Sequence, residues 1–203
     1  MGYKDNIVVL IFAAVFLFSI IMLMNQGVRT TGYATTATTT SNVTISTYFA
    51  IDMSTNLTNG IEFGTINSIP VTNWNATDNN NSVNTTGVGG TYNQSTSMWL
   101  NVSTDSNTNV DFCVKADTAL TSSGASTIGV GNESYANHTV TNVSLPLVTS
   151  AVDLTTGYVK SGFNITVGGN DYLRFWLDVP AATTAAYYNN TLSFEGVTTG
   201  AGC

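Results

Sequence analysis

Residues 7–24 read IVVLIFAAVFLFSIIMLM, a run with no charged residue and with Ser19 as its one polar side chain. At a rise of 1.5 Å per residue such a run forms a helix of about 27 Å, enough to cross the hydrocarbon core of a bilayer. A helix apolar on every side cannot rest in water, so it must be buried in lipid or against other apolar helices. A secretory signal has a shorter apolar region followed by a small-x-small cleavage site. Here the run leaves through Asn25-Gln26-Gly27-Val28-Arg29, which offers no such site, and retention of the segment is expected. Lys4 and Arg29 flank it on either side and give no orientation signal. The exported character of the chain after Arg29 places the N-terminus on the cytoplasmic side.

The rest of the chain reads as an extracellular domain. Charged residues make up 8% of the 203 residues, against an average near 25%. In their place stand 34 Thr, 18 Ser and 23 Asn, so hydroxyls and amides supply the polar surface. The net charge is −7, and the five basic residues are scattered at Lys4, Arg29, Lys115, Lys160 and Arg174. No basic patch exists to neutralise phosphates, which excludes nucleic acid as a partner. The 43% apolar content argues for a packed core rather than a disordered chain.

The chain divides into three regions. Residues 1–26 form the hydrophobic helix, residues 27–41 a Thr-rich linker, and residues 42–203 a β domain. The linker, with TTGYATTATTTS at its centre, suits an extended stalk, an O-glycosylated segment or a strand donated to a neighbouring subunit. From Asn42 onward short β-branched or aromatic runs alternate with Gly, Asn, Asp and Ser clusters. Strands are expected over 43–51, 60–66, 97–102, 110–115, 139–145, 158–167, 172–179 and 187–197, with loops over 73–94 and 118–131. In Leu173 to Val179 the odd positions are apolar and Arg174 and Asp178 face away, the pattern of a half-buried antiparallel strand. With no amphipathic helix between them, these strands predict an antiparallel β-sandwich of Ig-like or jelly-roll topology.

Cys113 and Cys203 are the two cysteines. In an exported protein an even count suggests one disulfide, here pinning the C-terminus to a mid-chain strand. The strongest repeated motif is Asn-x-Ser/Thr. Its acceptors are Asn42, Asn56, Asn75, Asn80, Asn84, Asn93, Asn101, Asn132, Asn137, Asn142, Asn164 and Asn189, twelve in all. A chain of this composition should give about six by chance, so covalent N-glycans are expected.

Enzyme chemistry finds little to use. His138, the one histidine, lies inside a sequon, and Glu62, Glu133 and Glu195 stand in separate segments. No nucleophile–base pair, zinc ligand set or acid/base pair emerges. The chain is read as non-catalytic and without a cofactor. Asp105, Asn107, Asn109 and Asp111 alternate in a way that can hold Ca²⁺, but locally bonded turn residues account for the same spacing and are preferred.

A retained apolar helix at the N-terminus, with a Thr-rich, sequon-rich β domain after it, resembles the archaeal type IV pilin and archaellin group. That resemblance implies a structural subunit of an extracellular filament, with helices bundled in the core and glycosylated sandwiches outside. Copies of the chain would then be its partners, and the membrane would hold the helix before assembly. Ile7, Leu10, Ala14, Phe18, Ile21 and Met24 would carry helix–helix packing. Asp5 maps onto the acidic position that neutralises a neighbour's N-terminal amine, provided Met1 is the mature N-terminus. The basic-residue–Gly cleavage site of the family's precursors is not seen, since only Met1-Gly2 precede Tyr3-Lys4-Asp5. A single-pass surface or S-layer-associated protein stands as the alternative, as does an adhesin using Trp74, Tyr92 and Trp99 near the Asn/Gly loops. A donor-strand filament subunit, donating the segment before Ile51, is a further one.

Overall fold

A computed structural model describes residues 3–26, 40, 42–79 and 97–203, with side chains of the first helix described over 11–22. The described chain is mainly β with antiparallel sheets, preceded by an N-terminal helix. It divides into two units, Met1–Thr44 and Ile45–Cys203.

In the first unit, helix α1 (Tyr3–Gln26) starts four residues before the apolar run and takes in Lys4 and Asp5. Its one polar side chain within that run is internally satisfied, because Ser19 Oγ donates to the Val15 carbonyl at 2.9 Å. Among the described residues no helix is long and apolar enough to cross a membrane, the described side chains of α1 being those of 11–22 alone.

The second unit contains β1 (Ile51–Met53), the short helix α2 (Thr55–Asn59), β2 (Val71–Asn75), β3 (Met98–Val102), β4 (Val110–Ala116), β5 (Leu120–Ser122) and β6 (Thr127–Ile128). After these come β7 (Glu133–His138), β8 (Val152–Asp153), β9 (Val159–Ile165), β10 (Asn170–Val179), β11 (Tyr188–Asn189) and β12 (Leu192–Thr198). One sheet runs β1-β3-β10-β7-β8, with β2 also paired to β10; the others are β12-β4-β9 and β11-β5-β6. Ser54 caps α2, its Oγ accepting from the Leu57 amide at 3.2 Å, as N-cap serines do.

Period-two alternation builds the core. Met98, Leu100 and Val102 of β3 and Leu173 and Phe175 of β10 meet Val110, Phe112, Val114 and Ala116 of β4 in one buried cluster. Leu177 and Val179, farther along β10, pack instead with Leu120 of β5 and Ile128 of β6. Strand β10 therefore serves both clusters, which is why it is the longest strand described.

The sequence-based strands hold over β3, β4, β9 and β10 and fail elsewhere for identifiable reasons. Residues 60–66 form no strand: the Glu62 carbonyl accepts from the Thr77 amide, and the Phe63 carbonyl accepts from Trp74 Nε1. Ile61 and Phe63 still pack on the core, so the alternation reported burial without ladder pairing. Residues 139–145 are a loop, while the adjoining polar-looking Glu133–His138 is the strand, paired with β10 from Tyr172 to Leu177. The expected loop over 118–131 contains the β5–β6 hairpin. The expected strand over 187–197 divides into β11 and β12, which belong to different sheets. Residues 80–96, the heart of the Asn/Gly-rich loop, and nearly all of the Thr-rich linker lie outside the described residues. Arg174 does not face solvent as its alternation suggested. It is 5% exposed, because a loop folds over the outer face of β10.

Candidate functional site

Two kinds of surface carry the chemistry of this chain: the apolar girth of α1 and the amide-studded exterior of the β unit. Around α1, Ile11, Phe12, Val15, Phe16, Leu17, Phe18, Ile20, Ile21 and Met22 are all exposed within the single chain, from 38% at Ile20 to 72% at Phe12. These positions occupy every side of the helix, so no polar face remains to meet water. Ala14, Phe18 and Ile21 of the expected packing set are among the exposed residues. The side chains of Asp5, Ile7, Leu10 and Met24 lie outside the described ones.

The outer side of β4 is organised by two features. Cys113, fully buried, is bonded to Cys203 across a sequence separation of 90 residues. Two positions earlier, Asp111 accepts from Lys160 Nζ at 2.6 Å, from the Asn164 amide at 2.7 Å and from the Gly200 amide at 3.1 Å. Burial alone would raise its pKa, but these donors outweigh it and hold the carboxyl at about 2. The segment after β12 is thus attached twice to one strand, covalently at Cys113 and through a carboxylate at Asp111.

This arrangement also settles where the alternating Asp/Asn residues go. Asn107 Oδ1 accepts from the Tyr48 amide, and its Nδ2 donates to the Ser46 carbonyl. Asn109 Nδ2 donates to Asn164 Oδ1. Asn107, Asn109 and Asp111 thus bind distant segments of the chain rather than their own turn as expected, Asn109 and Asp111 both bonding Asn164, and among the described residues no group of metal-ligating side chains comes together. His138 Nδ1 accepts from the Val140 amide at 3.0 Å within a turn. Glu133 is buried with its carboxylate held by Asn190 Nδ2 at 2.8 Å, and burial raises its pKa against that bond. Trp74 is bonded to the backbone, and Tyr92 lies outside the described residues.

Sequence reasoning missed Asp171, which β10 carries into the core with no exposed surface. Asn137 Nδ2 donates to its Oδ1 at 2.8 Å, while Oδ2 has no partner. Burial drives its pKa up to about 7, the Asn137 bond opposing only in part. Gly162 on β9 is required beneath it: a Cβ there would lie 2.6 Å from Asp171 Oδ2 and 2.9 Å from Cγ. Gly162→Ala should therefore cost about 1–3 kcal/mol, read from urea midpoints at constant slope.

The titration of Asp171 has a definite sign. The unfolded chain sheds this proton near pH 3.8, whereas the folded chain keeps it to about pH 7, so stability falls as pH rises between those values. Glu133 contributes in the same direction. Asp171→Asn should flatten this decline, gaining roughly 2–4 kcal/mol relative to wild type at pH 8 compared with pH 4. Parallel unfolding curves at both pH values would refute the account.

The sequons divide by what their side-chain nitrogens do. Asn101 Nδ2 donates to the Gly168 carbonyl (3.3 Å), the Gly169 carbonyl (3.0 Å) and Asn170 Oδ1 (2.7 Å). Asn137 Nδ2 is committed to buried Asp171. Asn142 and Asn164 are exposed and use only their oxygens, toward Ser144 and Leu145 and toward Asn109 respectively. Asn42 and Asn189 are exposed; Asn56, Asn75 and Asn132 are half-buried; Asn80, Asn84 and Asn93 lie outside the described residues. No protein-family model, no curated protein and no solved structure matches this chain.

Proposed function

We propose that this protein is a non-catalytic structural subunit of an extracellular filament, its α1 helices bundled together and its β unit displayed outward with covalent glycans. The observation that carries this reading is the apolar exposure on every side of α1 over residues 11–22. Surface of that extent must be removed from water, and identical copies supply a matching apolar surface without any second component. The core shared by β3, β10 and β4 favours a sandwich of the Ig-like or jelly-roll kind for the outer domain. A disulfide and a charge-poor, amide-rich surface suit an oxidising exterior. The resemblance to archaeal pilins and archaellins points the same way, with the membrane holding α1 before assembly.

The donor-strand reading has one observation in its favour. Residues 42–50 form no strand, yet Val43 and Ile45 are 84% and 78% exposed, an alternation suited to pairing with a neighbour's sheet edge. Shearing cells and sedimenting the released material separates these outcomes from a lipid anchor. A filament subunit pellets from the sheared fraction as polymer without detergent. A membrane-anchored monomer stays with the membranes until detergent releases it. Removing residues 42–46 would abolish polymer under the donor-strand reading and leave it intact under helix bundling.

A further inference from the structure

Asn142 stands in a loop that is unusually well fixed for an exposed segment. Arg174, itself 5% exposed, donates through Nη1 to the Pro146 carbonyl at 2.9 Å and through Nη2 to the Asn142 carbonyl at 2.6 Å. Thr141 Oγ1 donates to the Leu145 carbonyl at 3.1 Å. Asn142 Oδ1 accepts from the Ser144 amide at 2.8 Å and the Leu145 amide at 3.0 Å, an Asx turn within the sequon itself. In that geometry the oxygen is engaged, and Nδ2 has no acceptor among the described residues on a residue that is exposed.

The same loop carries Val140, Val143, Leu147 and Val148 at 52%, 54%, 43% and 36% exposure, and residues 139–152 include no charge. An exposed apolar loop centred on a free amide nitrogen offers a bound sugar both an attachment atom and apolar surface to lie against.

We infer that Asn142 is a glycan acceptor, and that Asn101 and Asn137, despite equivalent sequons, are structural asparagines that stay unmodified. The contrast is one of chemistry at a single atom. Transfer forms a bond from Nδ2 to the anomeric carbon of a glycan carried on a lipid-linked phosphate. The carbon–oxygen bond to phosphate breaks, the phosphate leaves with the electron pair, and Nδ2 loses one proton. Asn101 Nδ2 would have to give up its carbonyl acceptors on Gly168 and Gly169, and Asn137 Nδ2 faces a carboxylate with no exposed surface. At Asn142 no bond is lost.

This assignment rests on the proposal that the β unit is exported. The test is glycopeptide mass spectrometry of the full-length protein from its own cells, with two variants that each delete a sequon and leave the asparagine in place. Ser144→Ala keeps the Asx turn, which uses only the Ser144 backbone amide, and should lower the intact mass by one glycan. Thr139→Ala deletes the Asn137 sequon and should leave the glycan mass unchanged. Fragment ions should place a glycan on Asn142 and none on Asn101 or Asn137. A bare Asn142 in protein glycosylated elsewhere overturns the inference, as does any glycan on Asn101 or Asn137. Protein bare at every site overturns it too. Whether that bare protein still pellets as sheared polymer then shows if the filament reading falls with it.

Discussion

Replacing Cys113 and Cys203 together with alanine lowers the stability of the β unit by about 4–5 kcal/mol, the loop-entropy value for a closure of this length. For a domain of this size that corresponds to a melting temperature lower by roughly 10–20 °C. The effect has a second part that loop entropy alone does not contain. The disulfide holds the segment after β12 where the Gly200 amide donates to Asp111. Releasing it removes one of the donors that keep the Asp111 carboxyl at about 2. With a depressed folded pKa, Asp111 stabilises the domain above its unfolded value of 3.8, and this contribution is lost as pH falls toward 2. Without the Gly200 donor the Asp111 carboxyl is less depressed, so the disulfide-free protein should lose less stability between about pH 5 and pH 2 than the oxidised one does. Urea unfolding of both proteins at the two pH values would check it, and equal losses would contradict the link between the two attachments.

Ala14→Asp should abolish assembly while leaving the melting of the β unit unchanged. Ala14 is exposed on α1 in the single chain, so the substitution strains nothing within one subunit. In a bundle it places a carboxylate among apolar side chains with no basic partner, since residues 7–24 contain no charge. Burying a carboxylate so costs several kcal/mol in every subunit or forces it to take up a proton. Ser19→Ala is the matched control. It loses only the bond to the Val15 carbonyl and should assemble as wild type. Electron microscopy of sheared material from both variants reads the result. Filaments of normal abundance from Ala14→Asp would show that α1 is not packed against its copies.

The parts of the fold that could be read from the sequence were those where one residue's chemistry decides its environment. The apolar run from Ile7 to Met24 was legible as a helix, and β3, β4 and β10 alternate because each has a core-facing side. Strand β7 was invisible because its letters, ESYANH, are mostly polar. It is a strand because β10 supplies ladder partners along its length, a property of the partner. Arg174 was misplaced for a related reason: a lone arginine in an alternating strand normally faces water, and only the folding of the 142–146 loop covers it. The sequons were all legible as motifs. Which nitrogen is free was not, because Asn101, Asn137 and Asn142 differ only in long-range or turn contacts. Asp171 gave no signal, since an acidic residue beside a turn reads as solvent-facing until Asn137 and Gly162 are brought over it.

Helical reconstruction of material sheared from cells tests whether α1 is buried among copies of itself. Filaments are expected with an axial bundle of apolar helices contributed by residues 3–26 and β domains around it. A subunit found only as detergent-soluble monomer, with no polymer in the sheared fraction, would contradict that burial.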